Sequence, residues 1–183
     1  MQKRHTDRES YFGEQSQTSK NYYIPYIKEV IGHIPDKVLE VGCGEGGNLL
    51  PFAEAGCRVM GVDIDATRIE QARTFFAQRH QQGQFIATDI FQLKDKATNF
   101  PLILLHDVIE HIRDKERFLS GLQKHLSADG AIFVGFPAWQ MPFGGHQQIA
   151  HSHIVSHFPF LHLLPRTLYR WIFCLLYTSD AAD

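Results

Sequence analysis

One arrangement limits this protein more than any other: short apolar runs alternate with amphipathic stretches from position 38 to position 136, and the first run opens directly into a glycine-rich turn. Val38-Leu39-Glu40-Val41 predicts a strand, Asn48 to Ala55 a helix closed by Gly56, Arg58 to Val62 a second strand, and Ala66 to Gln81 a long amphipathic helix. Phe85 to Thr88 and Leu102 to Leu105 read as the third and fourth strands. Asp114 to Leu126 reads as a helix with Asp114 as its N-cap, and Ala131 to Phe136 as a fifth strand after an Asp129-Gly130 turn. Strands joined by helical crossovers run parallel, because each crossover returns the backbone to the same end of the sheet, and both faces are then covered. The expectation is an α/β fold, a doubly wound sheet of at least five parallel strands with helices on both faces.

In such sheets a ligand sits at the carboxyl ends of the strands, where strand order reverses. The loops there are polar. The first, Gly42-Cys43-Gly44-Glu45-Gly46-Gly47, carries glycines at 42, 44 and 47 that match the spacing of a dinucleotide fingerprint. Alone, that spacing says only that a backbone turns sharply and approaches something closely. Asp63 ends the second strand, 21 positions beyond Gly42, where a carboxylate can take ribose hydroxyls. Both nicotinamide enzymes and S-adenosylmethionine enzymes use that device. Glu40 separates them: it stands where a dehydrogenase keeps an apolar residue, and a carboxylate there suits an ammonium and a sulfonium better than a pyrophosphate. Thr88-Asp89-Ile90 places another carboxylate after the third strand, and His106-Asp107-Val108-Ile109-Glu110-His111 follows the fourth.

Val38 to Gly46 resembles motif I of class I S-adenosylmethionine-dependent methyltransferases, and Val62-Asp63-Ile64-Asp65 resembles their motif II. Asp89-Ile90 resembles their adenine-contacting acidic loop, and Asp107 to Ile112 the segment after strand four in the small-molecule branch that includes ubiquinone-biosynthesis-like enzymes. The likeness runs from about residue 36 to 137, with four motifs in order. It implies a Rossmann-like fold, S-adenosyl-L-methionine as cofactor, and transfer of a methyl group to a small-molecule acceptor. It also implies roles. Gly42, Gly44 and Gly46 let backbone approach the methionine part, and Glu40 orders its amino group. Asp63 takes the ribose hydroxyls, Ile64 packs on the adenine, Asp89 accepts from the adenine amino group and Ile90 supplies a backbone contact. His106 lies beside the methionine part, near the transferred methyl.

A general base is required only for a protonated hydroxyl or an acidic carbon. His106, His111 and His146 are the candidates, since imidazole titrates near neutrality. His151, His153, His157 and His162 continue a histidine cluster, but without carboxylate or thiolate partners they predict no metal site. Trp139, Phe143, Phe158, Phe160, Tyr169 and Trp171 read equally as the core of a helical insertion and as the lining of an acceptor pocket.

A formal net charge of -2 gives no field for nucleic acid, and the fourth loop lacks the Asn/Asp-Pro-Pro-aromatic sequence of enzymes that methylate exocyclic amines. Ile154 to Leu176 is broken by Pro159, Pro165, Arg166 and Arg170, so no stable membrane span is expected, and peripheral contact stays open. With no apolar targeting core at the N-terminus and no disulfide framework, the expected location is cytoplasmic. Residues 1–20 read as a flexible arm, Tyr22 to Ile34 as a helix, and 21–173 as one domain with its motif core at 36–137 and an aromatic, histidine-rich insertion at 138–173. Cys174 to Asp183 looks like a translated sequencing adaptor. The expectation is then a protein truncated at its C-terminal end, with its last antiparallel hairpin missing and strand five an exposed edge. Two other readings compete: a nicotinamide-dependent oxidoreductase, and a non-catalytic cofactor-binding module.

Overall fold

The computed structural model describes residues 7–93, 98–138, 140–142, 157–165, 167–169 and 171. Contacts divide the protein into two compact units, one of Asp7–Phe136 and one containing Pro137–Asp183. The first unit holds a five-stranded, all-parallel sheet in the order β3-β2-β1-β4-β5, with β1 Lys37–Val41, β2 Arg58–Asp63, β3 Gln84–Ala87, β4 Phe100–His106 and β5 Leu126–Gly135. Strand order reverses between β1 and β4, so the loops after these two strands part and leave a crevice at their carboxyl ends.

The helices are α1 Arg8–Thr18, α2 Ile24–Ile31, α3 Leu50–Glu54, α4 Ala66–Gln78 and α5 Lys115–Leu122. Period-two alternation sends successive strand residues to opposite faces and so divides the core. Val38, Val59, Leu102 and Leu104 join Phe12, Ile27, Phe52, Ile69 and Phe76 in one cluster, which carries α1 to α4. Leu39, Val41, Met60, Ile103 and Leu105 join Phe118 and Leu122 of α5 in the other. Glu40 lies between Leu39 and Val41, and alternation therefore puts it on the side of Val38 and Phe12. Both faces are covered, and the doubly wound sheet expected from the alternation is present.

Several boundaries differ: β4 begins at Phe100, two residues early, and the helix expected over Asn48 to Ala55 is a 3-10 turn, Gly47–Leu49, followed by α3. α4 stops at Gln78, three residues early, because His80 turns the backbone with φ 54°. α5 also ends early, at Leu122, and β5 begins at Leu126 rather than Ala131. Asp129-Gly130 is not a free turn but an irregularity inside β5, between the pairs Phe100↔Leu126 and Leu102↔Ala131. Gly130 packs so closely there that a Cβ would meet the Phe100 carbonyl at 2.9 Å. The expected N-cap holds: the Asp114 carboxylate accepts from the Arg117 N–H at 3.0 Å.

The flexible arm is a correction. Residues 8–18 form α1, capped by the Asp7 carboxylate on the Ser10 N–H, and Phe12 is fully buried against Phe75 and Phe76. A π-helical segment, Ser19–Tyr23, then leads into α2, so the helix expected from Tyr22 begins two residues later. α1 is polar apart from one inserted ring and shows no apolar periodicity, which is why its sequence reads as unstructured.

In the second unit the described residues include a short 3-10 turn at Leu161–Leu163, with Leu161 and His162 buried. Phe158, Phe160 and Trp171 are exposed, while Trp139 and Phe143 lie outside the described residues. No helix among the described residues is long and apolar enough to cross a membrane.

Candidate functional site

β1 ends at Val41 and the backbone turns at once. The N–H groups of Gly42 and Cys43 both donate to the Val62 carbonyl, at 2.7 and 3.1 Å, which ties the loop to the end of β2. Gly42, Gly44 and Gly46 have φ of 71°, 51° and 81°, a left-handed region in which a side chain is strained. At Gly42 the neighbour forbids one as well, because a Cβ would collide with Val108 Cγ2. Gly42→Ala is therefore expected to cost about 1–3 kcal/mol of stability in urea unfolding, with Val108→Ala restoring part of it. An unchanged midpoint in the single variant would show that the two loops do not meet.

Asp63 stands at the opposite wall, 9% exposed. Its Oδ2 accepts from the Gly44 N–H at 2.8 Å and its Oδ1 from the Asp65 N–H at 2.9 Å, so one carboxylate joins the glycine loop to the start of α4. Each oxygen retains a lone pair for a further donor.

Glu40 is buried at 1% exposure. Asn48 Nδ2 donates to Glu40 Oε1 at 2.8 Å, whereas Glu40 Oε2 and Asn48 Oδ1 are buried without a partner. Burial pushes the Glu40 carboxyl up to about 8; the Asn48 hydrogen bond opposes this and the Asp63 charge adds to it. The neighbouring Cys43 thiol is driven well above its ordinary value by burial first and then by Glu40 and Asp63.

Beyond the carboxyl ends of β1 to β4, with the start of α5 as a further wall, lies a cleft of about 600 Å³. Gly42, Asp63, Ile64, Asp89, Ile90 and His111 of the expected set line it. Ile64 is 82% exposed, an apolar side chain held on the rim of a cleft, and Phe91, 55% exposed, also lines it. These surfaces suit a flat apolar ring, and the carboxylates suit hydroxyl and amino donors. Asp89 Oδ1 accepts from the Phe91 N–H at 2.9 Å and so also caps the turn Ile90–Gln92.

Glu40, Gly44, Gly46 and His106 do not line this cleft. His106 lies at the end of β4, its ring 5.5 Å from that of Tyr23 and its Nδ1 3.7 Å from Asp107 Oδ2. The Tyr23 phenol is pushed up to about 12, by burial first and then by the charges of Asp107, Glu40 and Tyr11. His146 lies outside the described residues, as do His151 and His153. Among the described residues no group of three or more His, Cys, Asp and Glu is arranged to hold a metal ion.

Sequence reasoning missed the residues that shape the glycine loop from outside it. Glu45, 1% exposed, is held by Arg8 of α1, whose Nε donates to Oε1 at 2.7 Å and whose Nη2 donates to the same oxygen. Ser19 Oγ donates to the Asn48 carbonyl at 2.8 Å. Gly47 packs against α1 so tightly that a Cβ would meet the Phe12 carbonyl at 2.7 Å. A charged residue inside a glycine-rich turn was the one available sign that Glu45 needs a partner.

The profile of a family described as a methyltransferase domain matches residues 39–132. The ubiquinone biosynthesis O-methyltransferase of Bartonella quintana (strain Toulouse) is 33% identical over 118 residues, 62% of this chain and 48% of that protein. The enzyme of the same name from Brucella ovis is 34% identical over 98 residues, 54% of this chain and 40% of that one. The sequence thus spans about half the length of the curated relatives it matches or less. Among solved structures, PKMT2 from Rickettsia typhi in complex with AdoHcy is 31% identical, with a TM-score of 0.51 over 55% of this chain and 21% of that one. The plantazolicin methyltransferase BpumL, solved with SAH and a monoazolic desmethylPZN analog, shares the fold at a TM-score of 0.58 and 22% identity, over 72% and 50% of the two proteins.

Proposed function

The protein belongs to the methyltransferase domain family, and from that membership we propose that it binds S-adenosyl-L-methionine in the β1/β4 cleft and transfers its methyl group to a small-molecule acceptor. The observation that carries the reading is the pairing of a left-handed glycine loop with Asp63, which laces that loop to β2 and lines the cleft. The names of the relatives, ubiquinone biosynthesis O-methyltransferases, point to a hydroxyl on a quinone precursor as the acceptor group.

The residues fit the cofactor. The Asp63 lone pairs suit ribose hydroxyls, while the two buried acceptors that suit an ammonium, Glu40 Oε2 and Asn48 Oδ1, lie off the cleft wall. Ile64 and Ile90 supply apolar surface for adenine, and Asp89 an acceptor for its amino group. When bound, S-adenosylmethionine supplies a methyl on a positive sulfur, a leaving group that needs no protonation. The protein's share is then to align the acceptor with that methyl and to keep water out, which can supply most of the rate. An acceptor hydroxyl must also lose its proton. His106, beside Tyr23 and Asp107, and His111, on the cleft wall, are the groups assigned to take it, together with His146 from the sequence. Tyr23 remains a protonated phenol at neutral pH, and so serves as a hydrogen-bond donor and not as a base. Cys43 and Cys57 are free thiols, which supports a cytoplasmic location.

Thermal shift tests the reading. S-adenosylhomocysteine at 100 times its Kd is expected to stabilise the full-length protein by about 2.7 kcal/mol, with no shift from NADH. A shift with NADH alone would replace the methyltransferase by an oxidoreductase.

A further inference from the structure

We propose that Arg117 reads the base of the bound nucleoside: its guanidinium donates to a ring nitrogen of adenine while Asp89 accepts from the neighbouring amino group. This rests on the reading that the cleft takes S-adenosylmethionine, and it adds a specificity-determining residue that lies outside all four sequence motifs.

Charge along the cleft is unevenly matched. Asp63, Asp89, Asp107 and Asp114 line it, and so do two guanidinium groups, those of Arg68 and Arg117. Arg68 is engaged, with its Nε 3.6 Å from Asp65 Oδ2 and 3.9 Å from Glu45 Oε1. The Arg117 guanidinium makes no ion pair and no hydrogen bond among the described residues, although Asp114 stands one helical turn before it. The Asp114 carboxylate instead takes the Arg117 backbone N–H at 3.0 Å. A guanidinium holds five N–H donors in one plane, and the ring nitrogens along the edge of a base are acceptors that such a plane fits.

Its position on α5 decides which part of the ligand it meets. Residues four apart share a helix face, so Arg117 and Gly121 stand on one side of α5. The Phe91 ring lies on that side: a Cβ at Gly121 would meet Phe91 Cε1 at 2.6 Å, and the Phe91 ring centroid is 6.1 Å from that of Phe118. Phe91 is tied in turn to Asp89, whose Oδ1 accepts the Phe91 N–H at 2.9 Å. Asp89 and Arg117 therefore belong to one end of the cleft, where Ile90 and Phe91 offer apolar surface for a ring. Adenine presents a donor amino group between two acceptor ring nitrogens, N1 on one side and N7 on the other. A carboxylate accepts and a guanidinium donates, so the pair matches that edge. Hypoxanthine and guanine carry a carbonyl oxygen in place of the amino group, and would set it against the Asp89 carboxylate.

Calorimetry on the full-length protein tests this without any turnover. S-adenosylhomocysteine is titrated beside its 1-deaza and 7-deaza analogues, in each of which one ring nitrogen becomes C–H. At least one analogue is expected to bind about tenfold more weakly than the parent, and which one it is identifies the nitrogen that Arg117 meets. Arg117→Met should weaken S-adenosylhomocysteine about tenfold and remove the difference between the parent and that analogue. The variant keeps the cap of α5, because Asp114 holds a backbone N–H and not the side chain. Two analogues that bind the native protein as tightly as the parent overturn the proposal. So does an Arg117→Met variant that retains native affinity, or one that weakens all three ligands by the same factor. Failure of S-adenosylhomocysteine itself to bind the native protein overturns the cofactor reading, and this proposal with it.

Discussion

Asp63→Ala is expected to abolish measurable binding of S-adenosylhomocysteine, a loss of more than about a hundredfold, or roughly 3 kcal/mol. The size follows from the two tasks that one carboxylate performs. Its oxygens hold the Gly44 and Asp65 N–H groups at 2.8 and 2.9 Å, so truncation releases the glycine loop and the start of α4 together. Asp63 also lines the cleft, where the ribose hydroxyls are assigned. Asp63→Asn retains one oxygen and should fall between the native protein and the alanine variant. Calorimetry gives the affinities, and urea unfolding of the same variants separates a lost contact from a lost fold. An unaltered Kd in Asp63→Ala would withdraw the ribose assignment.

Phe12→Ala is expected to destabilise the protein by about 3–5 kcal/mol, as large as any single truncation in the core. Phe12 is fully buried, its ring centroid is 5.0 Å from that of Phe75 and 6.4 Å from that of Phe76, and the Arg79 guanidinium lies 4.5 Å above it. Cavity cost and lost ring contacts act together, since helix α1 has few other apolar side chains with which to close the gap. The urea midpoint measures it. A loss below about 0.5 kcal/mol, the size of an ordinary surface change, would show that α1 is not docked in solution.

Much of the fold is legible because it rests on periodicities that sequence displays directly. The strands at Val38, Arg58, Phe85 and Leu102 announce themselves through apolar runs, and their order along the sequence implies parallel pairing. Gly42, Asp63 and Asp89 are legible because strand ends and sharp turns limit which residues can stand there. Two things stay hidden. Helix α1 is polar apart from Phe12, and a single buried ring leaves no period to detect. Asn48 reads as an ordinary first-turn residue of a helix, and only the three-dimensional return of that turn beneath β1 shows that it meets Glu40. The second half of β5 is plain in its apolar run, but the residues absorbed between its two registers are not, since Asp-Gly predicts a turn wherever local signals alone decide.

Helix α1 touches the glycine loop at three places, through Arg8 on Glu45, through the Phe12 carbonyl against Gly47, and through Ser19 just beyond its end on Asn48. Descent with modification must therefore treat the two as a single heritable unit. A lineage that loses Arg8 leaves the buried Glu45 to the more distant Arg68, whose Nε lies 3.9 Å from Oε1, and one that enlarges residue 47 pushes the helix off. Grafting residues 38–47 into another scaffold would import the glycines without the brace that bends them, so the ancestry of this glycine loop is written as much in the helix that precedes it as in the motif itself.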